Sequence, residues 1–249
     1  MKRTYKHNVY ILIIILYSAG TDIKAQESSN SSVNNQVWVD FNVYYKISDS
    51  FDFRAKGGTK SVFPNVWNKA YTSAEIYYNI PNFIFQKIKH KERVYGGIDF
   101  YHAVFDEAPN VIEISPYQGY TLFLPNRKRI IIKHNVELGE RFQWDVKDWN
   151  YSFGLKLSYE ASLTFKFQGD LVELGKGFYL SVSAKFWWNL ISTSIFNDVM
   201  RITPGIGYQI NPKWKAAFYI GYNYTKNQVI DEFKTDNVIY RLRLYFNIN

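Results

Sequence analysis

The stretch Met200–Tyr224, MRITPGIGYQINPKWKAAFYIGYNY, decides how this chain folds. Every second residue gives Met200, Ile202, Pro204, Ile206, Tyr208 and Ile210, with Arg201, Thr203, Gly205, Gly207 and Gln209 between them. After Asn211-Pro212-Lys213 the alternation resumes, with Trp214, Ala216, Phe218, Ile220, Tyr222 and Tyr224 set against Lys215, Ala217, Tyr219, Gly221 and Asn223. Period two is the mark of a strand with one apolar and one polar face. Ile210 and Trp214 flank a three-residue loop, so they pair across it and point the same way. Each arm has 11 residues. Ordinary soluble strands have ~5–6, whereas a membrane-crossing strand needs about 9–11.

Working outward, the same alternation recurs along the chain. It runs over Val37–Ile47, Phe51–Ala55, Ala70–Ile80, Val94–Phe100, Val111–Leu124, Ile130–Leu138, Tyr151–Tyr159, Phe178–Trp188 and Val238–Ile248. Gly57–Lys69 reads as a loop, and Phe83–Glu92 fits either a long turn or a short strand. Short connections at 48–50, 125–128 and 211–213 alternate with long ones at 57–69, 190–198 and 225–236. That asymmetry belongs to outer-membrane barrels, which have short turns at one rim and long loops at the other. The expected fold is all-β, a single antiparallel up-and-down transmembrane barrel. Eleven segments alternate, but bacterial single-chain barrels have even strand numbers. The expectation is therefore about twelve strands, or ten, with any missing strand in Gln26–Asn35 or Phe83–Glu92. Pro116 and Pro204 interrupt strands and are expected at bulges.

The start of the chain has a basic head (MKRTYKHN), an apolar run from Val9 to Tyr17 and a small residue, Ala25, before Gln26. This reads as a cleaved signal peptide over 1–25, followed by a flexible stretch, 26–35, and the barrel, 36–249. The apolar run is far short of the ~20 residues of a spanning helix. Four bases and one acid fall in residues 1–25, so the overall +8 becomes +5 for the remainder. No basic run is dense enough for nucleic-acid binding. The chain has no cysteine, which excludes disulfides, thiolate metal sites and a lipid-anchored cysteine.

Strand parity sends the charges inward. The candidate lumen network is Arg54, Glu75, Arg93, Asp99, Glu113, Lys133, Glu137, Arg141, Lys156, Glu160, Lys185, Arg201, Arg241 and Arg243. Lys56, Arg129, Lys215, Asp40 and Asp52 share that face. Inward bases outnumber inward acids 12 to 7, so any pore is expected to prefer anions. No catalytic, metal or cofactor spacing is present. His90 falls in a presumed turn, His102 and His134 face outward, and Glu137 with Arg141 reads as a structural pair. The expected function is a non-enzymatic outer-membrane barrel of a Gram-negative bacterium, structural or passing small solutes. Its expected partners are outer-membrane lipid and the export and barrel-assembly machinery. The alternatives are a barrel enzyme acting on outer-leaflet lipid and a soluble, lipocalin-like carrier of an apolar ligand.

With the strands laid out, KHNVELGERF (Lys133–Phe142) resembles a basic strand of the outer-membrane barrel family catalogued as domain of unknown function 2490. Trp38–Phe51, Ser183–Asn189 and the opening hairpin fit that pattern in order, so the resemblance runs from about Trp38 to the end. Two residues depart from it: Asn135 stands where an arginine is expected and Lys185 where a glutamate is expected. The resemblance implies a Gram-negative outer-membrane barrel with no established activity.

Overall fold

The computed structural model describes residues 34–63, 67–80, 91–105, 109–124, 129–167, 176–191, 196, 198–226 and 233–248. The expected signal peptide, the stretch 26–33, the ambiguous residues 83–90 with His90, and the 125–128 turn lie outside them. Eleven strands are described: β1 (Asn34–Lys46), β2 (Phe51–Phe63), β3 (Trp67–Ile80), β4 (Lys91–Phe105), β5 (Val111–Phe123), β6 (Ile130–Asp145), β7 (Tyr151–Lys166), β8 (Gly177–Asn189), β9 (Asp198–Gln209), β10 (Trp214–Lys226) and β11 (Phe233–Asn247). Each pairs antiparallel with the next, and β1 pairs with β11 to close a barrel.

Two expectations are corrected here. The described barrel has eleven strands, not twelve or ten, and it is not antiparallel throughout. A meander reverses direction at every strand, so an odd number leaves β1 and β11 running the same way. Their ladder is accordingly parallel, from Asn34↔Asn237 to Tyr44↔Asn247. Following cross-strand partners from Trp38 through β2 leads to Asp145 on β6. Following them through β11 leads instead to Ile131, a stagger of 14 residues. A staggered closure of this kind requires strands tilted by roughly 35–45°.

The loop-length asymmetry also fails. Connections at one rim (47–50, 81–90, 124–129, 167–176, 210–213) run from four to ten residues. Those at the other (64–66, 106–110, 146–150, 190–197, 227–232) run from three to eight. The expected loop from Gly57 is mostly strand, because β2 stays paired with β1 as far as Asn35↔Phe63 and with β3 as far as Ser61↔Asn68. The three-residue turns are built as expected and share one design. Ile47 and Ser48 N–H groups donate to Phe51 O, as Ile210 and Asn211 do to Trp214 O. Ser48 Oγ accepts from Ser50 and Phe51 N–H, and Asn211 Oδ1 from Lys213 and Trp214 N–H. In the first turn Lys46 donates to Asp49 at 2.6 Å, which holds that carboxyl below its ordinary range.

Neither proline makes a bulge. Pro116 pairs in register with Ile98 on one side, while on the other the β5–β6 ladder skips from Ile114↔Phe142 to Tyr117↔Gly139 without a shift. Pro204 does the same: it pairs with Val182, and the β9–β10 ladder skips from Tyr219↔Gly205 to Tyr222↔Ile202. Each missing N–H opens a two-residue gap towards one neighbour and leaves the alternation intact.

Apolar side chains point outward. Ile76, Ile98, Phe100, Val136, Val182 and Ile206 are exposed on that face, and its polar interruptions are few, with Gln118 and Glu140 exposed among them. Aromatic contacts gather towards both rims: Phe51–Tyr78, Phe178–Tyr208 and Trp214–Phe246 at one, Phe142–Phe153, Trp144–Tyr151 and Phe186–Trp188 at the other. The polar residues point inward, the reverse of a carrier for an apolar ligand.

Inside, tyrosine rings lie over glycines of the facing strand. Tyr117 pairs with Gly97 and Tyr95 with Gly119, so two neighbouring strands exchange ring and gap. A methyl group on Gly97 would meet the Tyr117 ring and Ala74 O at 2.7 Å, whereas on the outward-facing Gly96 it would meet only Tyr117 O at 3.8 Å. Gly97→Ala is therefore expected to cost about 1–3 kcal/mol through overpacking. Gly96→Ala is expected to stay within about 0.5 kcal/mol of the parent. Urea midpoints of the two folded variants make the comparison.

Candidate functional site

Among the described residues the lumen gathers most of the charged side chains, and every member of the expected network points into it. Alternation puts them there, and cross-strand register chooses their partners. Four carboxylates organise the filling, three of them buried and Glu137 half-buried.

Asp40 on β1 binds Arg241 and Arg243 of β11 and accepts a bond from the Tyr71 hydroxyl. It thus joins both sides of the parallel seam. Glu75 on β3 binds Arg54 and Lys56 of β2 and accepts from the Tyr77 and Tyr117 hydroxyls, the latter at 2.6 Å. Glu113 on β5 takes a two-pronged grip from Arg141, Nε to Oε1 at 3.0 Å and Nη2 to Oε2 at 2.7 Å, with Ser115 donating at 2.8 Å. Glu137 on β6 accepts from Tyr95 at 2.9 Å and from Ser158 at 3.4 Å, with Lys185 Nζ 3.7 Å away. A carboxylate has about four lone-pair sites, and these hubs fill most of them.

Further pairs are Lys133 with Glu160 at 2.9 Å, Arg93 with Asp52 at 2.9 Å and, more loosely, Lys69 with Glu113 at 3.9 Å. Asp99 accepts from Tyr101 at 2.9 Å, and its other oxygen is buried without a partner. The expected Glu137–Arg141 pair does not form, since each goes to a different strand. A residue four along a strand lies on the same face but about 13 Å away. Asp40 belongs at the centre of the network although the expected site set omitted it. Lys60 and Lys69 also line the interior, and were missed because Gly57–Lys69 read as loop.

Four lumenal cations have no carboxylate partner among the described residues: Lys60, Lys156, Arg201 and Lys215. Lys60 Nζ lies over the Trp38, Tyr71 and Tyr101 rings, at 4.3, 4.9 and 5.5 Å from their centres. The Arg201 guanidinium sits 4.7 Å from the Trp38 ring centre and 4.6 Å from that of Trp187, and donates to Asn223 at 2.6 Å. Lys215 lies over Tyr245 at 3.9 Å. Aromatic faces attract cations, but supply no counter-charge.

These groups border a cavity of about 930 Å³. It reaches from Tyr45, Pro212 and Phe246 at one rim down to Trp38, Tyr101 and Arg201. Towards the other rim Gln36, Val62, Ala103, Glu113 and Ile239 are buried and take no part in its lining. Phe196 is also buried there, with the Arg141 guanidinium 4.0 Å from its ring centre and Gly154 beneath it. Among the described residues the cavity is a cup with its mouth at the rim of Tyr45, Pro212 and Phe246. Thirteen Lys and Arg side chains line it, against five Asp and Glu.

A family model described as "Protein of unknown function (DUF2490)" matches residues 35–234, from β1 into β11. The chain belongs to this family. No curated protein matches it. Within this DUF2490 barrel the two departures noted above share one cross-strand row, Asn135↔Glu160↔Lys185↔Arg201. They flank a single carboxylate, so an inversion at one changes the field at the other.

Removing Asp40 would leave Arg241 and Arg243, both half-buried beside the seam, without their anion. Asp40→Ala is expected to destabilise the barrel by about 3–5 kcal/mol. Asp49→Ala, in an exposed turn, is expected within about 0.5 kcal/mol of the parent. Urea midpoints in detergent, with Asp40→Asn as the near-isosteric variant, check the difference.

Proposed function

We propose that this DUF2490 chain is exported through its N-terminal segment and resides in a Gram-negative outer membrane. There it acts as a non-enzymatic barrel with a closed-bottomed, basic lumen. The observation that carries the reading is the inversion of the barrel, with a predominantly apolar outer face and charged groups within. In hydrocarbon an unpaired backbone group costs several kcal/mol, so a sheet there must close on itself. Closure and an apolar outer face meet that requirement together, and aromatic side chains near both rims match the interfacial girdles of such barrels. The strands, of 12 to 16 residues, are long enough to cross the ~25 Å apolar band with residues to spare at the rims. Lipid and the machinery of export and barrel assembly are the partners this reading requires. The odd strand number, which puts the two ends of the described barrel at opposite rims, is unusual for a bacterial chain.

The filling supports a scaffold or a receptacle over an open channel. Each hub carboxylate is held by several donors at once, which suits a fixed shape better than proton transfer. The buried layer beyond Trp38 stands between the cup and the far rim.

Extraction and gel mobility test the location. The protein is expected in the outer-membrane fraction, and the folded form is expected to migrate differently with and without boiling. Recovery in the soluble periplasm with unchanged mobility would overturn it. Cysteines at Ile206 and Phe218, both outward, are expected to react with a lipid-phase probe. Planar bilayers are expected to show no steady open channel.

A further inference from the structure

We propose that the bottom of the cup is a binding site for the phosphoryl group of a small solute, built by Lys60, Arg201 and Arg241 around Trp38. Three cations surround one indole ring, with Lys60 Nζ at 4.3 Å, the Arg201 guanidinium at 4.7 Å and that of Arg241 at 5.0 Å from its centre. No two of these charges are as much as 10 Å apart. Arg241 is committed to Asp40, which it shares with Arg243. Lys60 and Arg201 make no ion pair with a carboxylate among the described residues; the carboxylates that act on them, Asp40 and Glu160, are each bound to another cation.

Like charges held this close inside a protein repel strongly unless an anion lies among them. The protein supplies too few. The cup is lined by thirteen basic and five acidic side chains; four of the acids, Asp52, Glu75, Glu137 and Glu160, are paired with cations of their own, and Asp99 accepts from Tyr101. Lys156, which also lines the cup, adds another positive group without a carboxylate partner among the described residues. A site that brings several cations to one point favours a compact, multiply charged oxyanion over a single carboxylate. Arginine's planar fork matches phosphate oxygens, and lysine contributes a point charge. The walls limit what else the solute can carry. Trp38, Trp187, Tyr71 and Tyr101 present ring edges and faces, and Ser183 and Thr203 present hydroxyls on the same wall. About 930 Å³ admits a phosphorylated molecule of modest size and not merely the bare ion. The site needs the lumen of the proposed function but not the membrane around it, so it is tested on folded protein in a non-ionic detergent.

Pyrophosphate is the probe, titrated at constant ionic strength against the full mature chain and followed by tryptophan fluorescence and calorimetry. The expected result is saturable binding at one site. Lys60→Gln and Arg201→Gln should each weaken it at least tenfold, while Lys213→Gln at the cup's mouth should leave it within twofold. Heat-modifiable mobility confirms that each variant is folded, and Lys156→Gln, away from the Trp38 cluster, provides an independent second variant with an intermediate loss. Competition by inorganic phosphate or a phosphorylated sugar identifies a free solute. Competition only by micellar phosphatidic acid identifies a lipid headgroup as the occupant and overturns the solute assignment. Binding that never saturates, or that Lys60→Gln and Arg201→Gln leave unchanged in folded protein, overturns the site.

Discussion

A sheet that rolls into a tube must join its first strand to its last, and in this chain those strands run the same way. The eleven-pair parallel ladder between β1 and β11 is therefore the contact on which the other ten hairpin ladders depend for closure. Parallel pairing is slightly weaker per residue than antiparallel pairing. It also lacks a hairpin turn to fix its register, since its strands lie at opposite ends of the chain. The buried cluster of Asp40, Arg241, Arg243 and Tyr71 sits on this ladder, with Asp40 opposite Arg243 and Trp38 opposite Arg241. Burying an ion pair is at best a small net gain in stability. Its value here lies in discrimination. A slip of one residue would turn Asp40 to the apolar face and leave two arginines facing nothing.

The same logic extends round the lumen. A barrel of eleven strands encloses a space too wide for aliphatic side chains to fill, and alternation forbids turning the apolar face inward. Tyrosine resolves both demands, because its ring fills volume while its hydroxyl reaches a carboxylate. The facing glycines make room for the rings: Tyr117 lies over Gly97 and reaches Glu75, and Tyr95 lies over Gly119 and reaches Glu137. Packing and hydrogen bonding are thus carried by the same residues. Gly97 in effect holds Glu75 in place through the ring of Tyr117.

Much of this was legible in the sequence, because the face a strand residue takes is a local property. Period two gave the strands, the inward set and both three-residue turns. Pairing is not local, and the misreadings come from that. Glu137 and Arg141 share a face but lie too far apart along one strand to meet, while Glu113, 28 positions from Arg141, lies beside it. The Gly57–Gly58 pair reads as a break by propensity, yet stays in the sheet because β1 and β3 pair on both sides and the Tyr71 ring covers the gap. The even strand number was a rule about other barrels and not a consequence of any residue here.

The two departures from the expected pattern, Asn135 and Lys185, bear on the balance of charge in this lumen. In the row Asn135↔Glu160↔Lys185↔Arg201, an arginine and a glutamate at the first and third places would leave the row balanced, with a carboxylate directly opposite Arg201. Asparagine and lysine remove one positive group on β6 and place another on β8, where the expected acid would have been. Asn135 is absorbed into neutral bonding, donating to Tyr95 and accepting from Thr121. Lys185 turns to Glu137, and Arg201 turns to Asn223 and the faces of two tryptophans. The exchange puts a lysine directly opposite Arg201 and leaves Glu160, one strand further and bound to Lys133, as the carboxylate of the row. The solute proposed for the cup would supply, through its open end, the counter-charge that Arg201's direct neighbours do not.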